Sequence, residues 1–207
     1  FPLSLRKWKL QTGSSTSVIP DITVNPNDYI LLTTTSGVPA LSAFGPTIEV
    51  TSLSLTSSGT TVTLYDSLNH IISCVSYTDN WYRDSYKKSG GWSLEQIDPL
   101  NPCGNAENWI ASTSPSGGTP GKVNSVNASN LDLQKPELVR ISIIDSLNIV
   151  AYFSESLDST YLQNVNNFSA DNNIGIPVTA KAISPDYKAV LLTLASPIQA
   201  DIIYHLT

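Results

Sequence analysis

The hydrophobic period of this chain leaves little room for anything but β-structure. Apolar and polar residues alternate in short runs such as Thr61-Val62-Thr63-Leu64-Tyr65, Ile48-Glu49-Val50-Thr51 and Val139-Arg140-Ile141-Ser142-Ile143. Ile149-Val150-Ala151-Tyr152-Phe153 reads the same way, and Ala189 to Leu194 is a more continuous apolar run. Each run is bounded by Gly, Pro, Asn, Asp or Ser, the pattern of many short strands in a sandwich or barrel. The spacing of an amphipathic helix is not sustained anywhere, and the best helical candidate is the short stretch Ser159-Thr160-Tyr161-Leu162. Composition points the same way. The 207 residues include 29 Ser and 19 Thr, and only 14% are charged, against about 25% in an average globular chain. Thr packs well on a pleated surface and Ser suits turns. The expected fold class is all-β.

A local repeat indicates two units. Asp66-Ser67-Leu68-Asn69 and Asp145-Ser146-Leu147-Asn148 each join two apolar runs. Asp and Asn bond nearby backbone groups, so both stretches read as hairpin loops. Between them, Ser112-Thr113-Ser114-Pro115-Ser116-Gly117-Gly118-Thr119-Pro120-Gly121 is too rich in turn residues for regular structure. The organisation expected is a domain over 1–125, a linker over 126–133 and a second domain over 134–207. The first part carries 7 basic and 9 acidic residues and the remainder 4 and 8, giving −2 and −4 of the net −6. Neither half has the basic excess that grips a phosphate backbone, so nucleic acid is not an expected partner. No apolar run approaches the roughly 20 residues that span a bilayer. The chain opens on Phe1, as expected of a processed or trimmed product.

Few residues offer reaction chemistry. His70 and His205 are the two histidines, and neither lies in a motif that pairs a nucleophile with a base. Glu95, Asp98 and Glu155 are the carboxylates to weigh for glycoside chemistry. Glu95 alternates with Leu94 and so faces away from it, where it either pairs with a base such as Arg83 or bonds a turn. No catalytic residue, metal site or cofactor is expected: the Asp/Asn groups at 66–69, 79–80 and 171–173 lack calcium-loop spacing and read as turns. Asn127-Ala-Ser129 and Asn167-Phe-Ser169 fit the weak N-glycosylation pattern. Asp66-Ser67-Leu68, Asp145-Ser146-Leu147 and Asp158-Ser159-Thr160 resemble the Asp-Ser/Thr-aliphatic O-glycosylation sites of Bacteroides-like bacteria but read first as turns. Trp81, Tyr82, Tyr86 and Trp92 cluster around a polar, Gly-containing loop. They are the candidate ligand-binding residues, for carbohydrate or a protein partner, since rings with polar tips suit wet contacts. The alternative is that Trp81 and Trp92 plug the sandwich. Cys74 and Cys103 are either one disulfide, as in an oxidising compartment, or two buried thiols.

Motifs in order along 1–125 give a resemblance to the bacterial lamin-tail domain family. They are Leu5-Arg6-Lys7-Trp8-Lys9-Leu10, Val24-Asn25-Pro26-Asn27-Asp28-Tyr29-Ile30-Leu31-Leu32, Val62-Thr63-Leu64-Tyr65-Asp66 and the Ile71 to Tyr77 run with Trp81. Gly91-Trp92-Ser93-Leu94-Glu95-Gln96-Ile97-Asp98, Asn108-Trp109 and Gly118-Thr119-Pro120-Gly121-Lys122-Val123-Asn124-Ser125 complete the series. The stretch 134–207 resembles bacterial surface-layer-type Ig-like domains, through Pro136-Glu137-Leu138-Val139, Val150-Ala151-Tyr152-Phe153-Ser154-Glu155-Ser156-Leu157-Asp158, Asn167-Phe168 and Tyr204-His205-Leu206-Thr207. The two resemblances imply tandem Ig-like β-sandwiches, both lacking terminal strands. They further imply a non-enzymatic structural or interaction role in an exported bacterial protein, at the cell surface, in the periplasm or outside the cell. Partners would be other domains or surface proteins, or carbohydrate. The remaining expectation is an accessory tail of a secreted hydrolase.

Overall fold

A computed structural model describes residues 1–101, 104–133, 135–184 and 186–207. The chain's regular structure is mostly strand, in several antiparallel sheets that do not close into a barrel, and the 12% that is helical is mostly single 3₁₀ turns. No described helix is long and apolar enough to cross a membrane. It divides into two compact units, Phe1–Asp132 and Leu133–Thr207. The expected linker over 126–133 thus falls mostly within the first unit.

The first unit runs through ten strands: β1 (Leu3–Ser4), β2 (Lys9–Thr12), β3 (Ser15–Val18), β4 (Thr23–Val24), β5 (Leu31–Thr33), β6 (Thr47–Glu49), β7 (Gly59–Tyr65), β8 (Ile71–Thr78), β9 (Leu94–Gln96) and β10 (Trp109–Ala111). One short helix, α1 (Val38–Leu41), lies between β5 and β6, which pair in parallel. The largest sheet is antiparallel in the order β3-β2-β7-β8, and β9 and β10 form a separate antiparallel pair. Gly13, with a φ of 56°, turns β2 into β3, a conformation that a side chain opposes. Between β7 and β8, Asp66 Oδ1 accepts the backbone N–H groups of Leu68 and His70, both at 2.8 Å. The hairpin read from Asp-Ser-Leu-Asn is therefore built by the aspartate.

Register sets which residues of the four-stranded sheet share a face. Leu10 pairs with Leu64 and Leu64 with Ser73, while Val62 pairs with Val75. The part of this face near β3 is covered by residues 50–54 through hydroxyl groups. Ser17 Oγ donates to Ser52 O at 2.8 Å, and Thr12 Oγ1 accepts from Ser54 N at 2.8 Å. Towards β8 the same face is open and forms one wall of a cleft, described below.

The second unit contains β11 (Leu138–Ile143), β12 (Asn148–Phe153), α2 (Ser159–Leu162), β13 (Thr179–Ile183) and β14 (Ala189–Thr193). Its sheet is antiparallel, in the order β11-β12-β14-β13. Asp145 closes the β11–β12 hairpin by accepting from Leu147 N and Asn148 N at 2.8 Å. Asp158 caps α2 through Thr160 N at 2.7 Å, as an N-cap aspartate should. Ile149, Ala151, Val190, Leu192 and Leu194 form a continuous core with Leu162, Phe168, Ala170 and Ile174.

The two units are held together internally by different means. Every buried residue described in the second unit is apolar, whereas the first buries Thr12, Ser17, Thr33, Thr63, Glu95, Asp98, Asn101, Asn108 and Ser112 beside Leu5, Ile19, Val50 and Ala111. Truncating a packed apolar side chain costs the lost transfer energy plus a cavity. Leu192→Ala should therefore destabilise its unit by about 2–5 kcal/mol, and Leu64→Ala, already beside open space, should cost well under half as much. Urea denaturation of the two variants measures the contrast.

Candidate functional site

Glu95 is the middle residue of β9, and the strand's alternation sends Leu94 and Gln96 to one face and Glu95 to the other. It is 4% exposed. Its Oε2 accepts from Ser125 N at 2.7 Å and Ser125 Oγ at 2.6 Å. Its Oε1 accepts from Thr119 Oγ1 at 2.6 Å and Ser93 Oγ at 3.3 Å. Burial pushes this carboxyl up, but hydrogen bonds from Ser125, Thr119 and Ser112 outweigh it and hold the group below its ordinary value. Arg83 does not pair with Glu95; its guanidinium donates to Ala106 O at 2.8 Å and Glu107 Oε2 at 3.0 Å. Of the two structural roles expected for Glu95, the fold uses turn bonding. The turns it bonds need glycine: Gly117 and Gly121 have φ of 81° and 71°, and a Cβ on them would meet Gly91 O and Phe44 O.

A second polar node lies one strand-end away. Asn108 is fully buried, at 0% exposure. Its Nδ2 donates to Asp98 O and Asn101 O, both at 2.7 Å. Its Oδ1 accepts from Asp98 N at 2.8 Å and Asn130 Nδ2 at 3.1 Å. All four hydrogen-bonding positions of the amide are thus filled. Asp98 takes Leu100 N and Asn130 N, each at 2.9 Å. Those two N–H groups, Asn130's first, hold its carboxyl below the ordinary value. Asn124 and Asn127 donate to Gln96 O and Ile97 O at 2.9 and 3.2 Å. Residues 124–130 are therefore laced along β9 and its exit.

The four candidate aromatic residues are divided. Tyr82 and Trp92 meet, with the Tyr82 hydroxyl donating to Trp92 O at 3.0 Å. Trp81 turns instead to Trp109, with ring centroids 6.4 Å apart and planes tilted by 37°. Trp81, Tyr82 and Trp92 are half-buried, while Tyr86 is 76% exposed. Lys87 Nζ sits 4.5 Å from the Trp92 ring centroid and donates to Ser112 O at 2.7 Å, tying the loop to the chain beyond β10. Cys74 is half-buried in β8, its Sγ 3.4 Å from Thr63 Oγ1. Cys103, the other half of the expected pair, lies outside the described residues.

Both histidines sit in the same clamp. Asp66 holds His70 N at 2.8 Å and Nδ1 at 2.9 Å. Asp171 holds His205 N at 2.9 Å and Nδ1 at 2.7 Å. In each, one carboxylate fixes both backbone and ring of a histidine at a turn. Of the glycosylation candidates, the Asn127 amide is bound to Ile97 O as above, and Asn167 donates to Tyr161 O at 2.8 Å.

The feature that motifs did not reveal is an apolar cleft of about 750 Å³ in the first unit. Leu10, Val62, Leu64 and Val75 line it from the four-stranded sheet, and Leu32, Leu94, Gln96, Trp109 and the candidate Tyr82 line it from outside that sheet. A sequence signal exists in hindsight: Ser73 and Gln96 put polar groups at inward positions of otherwise apolar alternations.

Removing the charge from Glu95 leaves Ser125, Thr119 and Ser93 facing an amide that cannot accept from all of them. Glu95→Gln should destabilise the chain by about 3 kcal/mol at neutral pH, read by urea denaturation. Because the folded carboxyl lies below its ordinary value, the stabilisation is present above pH ~4.3. It is lost as pH falls through the folded value. The gap between wild type and variant should close on acidification.

Comparison with known proteins finds no matching family model, no matching curated protein and no matching solved structure.

Proposed function

We propose that the chain is a pair of Ig-like β-sandwich modules, lamin-tail-like over 1–125 and surface-layer-type over 134–207. They space, display or dock other parts of an exported bacterial protein at the cell surface or in the periplasm, without enzymatic turnover. One observation carries the reading. Residues of separate lamin-tail-like motifs, Ser93, Thr119 and Ser125, converge on the single buried carboxylate of Glu95. A carboxylate whose two oxygens accept four hydrogen bonds is committed to holding loops together. It is poorly placed to act as the raised-pKa acid or free base of hydrolysis. The low charge and abundant hydroxyls suit strand faces exposed to solvent, and the acidity supplies solubility.

The test is catalytic. The intact chain is incubated with double-stranded DNA, p-nitrophenyl phosphate and a panel of p-nitrophenyl glycosides. Release is expected at the uncatalysed rate for wild type, Glu95→Gln, His70→Ala and His205→Ala alike. Turnover by wild type that disappears in any of these variants would overturn the proposal. In parallel, a DNA titration should show no salt-dependent binding.

A further inference from the structure

Neither the hydrogen-bonded interior nor the turns account for the cleft of the first unit. Its volume, about 750 Å³, lies inside the range of roughly 300–1,000 Å³ typical of small-molecule sites. Much of the wall stands on strands, with Leu10 on β2, Val62 and Leu64 on β7, Val75 on β8, Leu94 on β9 and Trp109 on β10, and the connecting segments at 55–57, 82 and 99 complete it. Apolar side chains around open space forgo dispersion contacts, and water there finds few polar partners. No charged side chain lines the cleft. The Gln96 carboxamide reaches it from β9 and hydrogen-bonds no described residue, since the known bond of Gln96 is to its backbone oxygen. One amide offers two donors and one acceptor oxygen.

We propose that this cleft binds a neutral amphiphile, an apolar chain or ring system between the walls with one uncharged hydrogen-bonding group against Gln96. Charge complementarity selects the ligand class. An ionised head group would lose its water with no counter-charge in the lining. Thr56, Ser57, Ser73, Tyr77 and Tyr82 also line the cleft, but the Tyr77 and Tyr82 hydroxyls already donate to Thr56 O and Trp92 O, so a sugar would bring more hydroxyls than Gln96 and three small hydroxyls can satisfy. An ester, amide or single hydroxyl on an apolar body matches what the walls supply. Of the four aromatic-loop candidates Tyr82 lines this cleft and Tyr86 does not, and the site adds ligand binding to a scaffold module.

Titrating the intact chain with N-phenylnaphthylamine, a neutral apolar fluorophore, should give saturable one-to-one fluorescence with quenching of tryptophan emission, because Trp109 stands in the wall. Dodecanol should displace it, and the anionic anilinonaphthalenesulfonate should bind about tenfold more weakly. Val75→Phe, which fills the space, should lower fluorophore affinity by about tenfold. Gln96→Leu should spare the fluorophore but weaken displacement by dodecanol by about fivefold, so the result does not hang on the folding of one variant. Uptake that never saturates, that prefers the anionic dye or that ignores Val75→Phe overturns the proposal, as does dodecanol displacement unchanged by Gln96→Leu. Capture of an alternating Thr-Val peptide without uptake of either neutral probe would assign the cleft to an added strand and overturn it equally.

Discussion

A carboxylate removed from water stays ionised only if hydrogen-bond donors or a cation replace its hydration shell. Glu95 is 4% exposed and, among the described residues, is served by donors alone: the backbone and hydroxyl of Ser125, and the hydroxyls of Thr119 and Ser93. This requirement orders much of the first unit. It fixes the course of 112–125, because Ser125 also lies 3.0 Å from Ser112 Oγ. Glu95 itself stands on β9 opposite Ile110 of β10. The neighbouring Asn108 node then carries the same arrangement on to Asn130.

A unit held in this way differs physically from one held by an apolar core. Hydrophobic burial is non-directional and fills space; hydrogen bonds are directional and can hold layers apart. The second unit follows the first logic, with Ala151, Val190 and Leu192 at 0% exposure. The first unit follows the other. Hydroxyls of Thr12 and Ser17 pin residues 52–54 to the sheet, and side-chain amides pin 124–130 to the exit of β9. The large side chains Leu10, Leu64, Val75 and Trp109 are left half-buried around open space. The cleft thus coexists with a well-bonded frame because the frame does not depend on filling it.

What was legible in the sequence was local. Alternation placed β7, β11 and β12, and a more continuous apolar run placed β14, where Val190 and Leu192 are fully buried. The two Asp-Ser-Leu-Asn stretches announced their hairpins through an aspartate that accepts the N–H groups following it. The separation of Leu94 from Glu95 across β9 also follows from period two. What was not legible depended on distant partners. Nothing local to Asn108 says that Asp98, Asn101 and Asn130 will fill its amide. Residues 126–130 look like linker because they lack alternation, yet side-chain amides, which carry no periodic signature, bond them to the first unit. Arg83 was as plausible a partner for Glu95 as a turn, and the donors that bond it, Thr119 and Ser125, lie 24 and 30 residues away. The cleft escaped notice because an inward apolar residue looks alike in sequence whether it is packed or exposed to a void.

The Glu95 carboxylate holds the closing segment of the first unit through Ser125, and amide hydrogen exchange at the Ser125 N–H, followed by NMR as pH is lowered, reads that bond. Strong protection is expected at neutral pH, with a loss of protection that tracks protonation of Glu95, because a neutral carboxyl is a weaker acceptor. A Ser125 amide that exchanges at neutral pH as fast as an exposed one, or whose protection is indifferent to the state of Glu95, would contradict it.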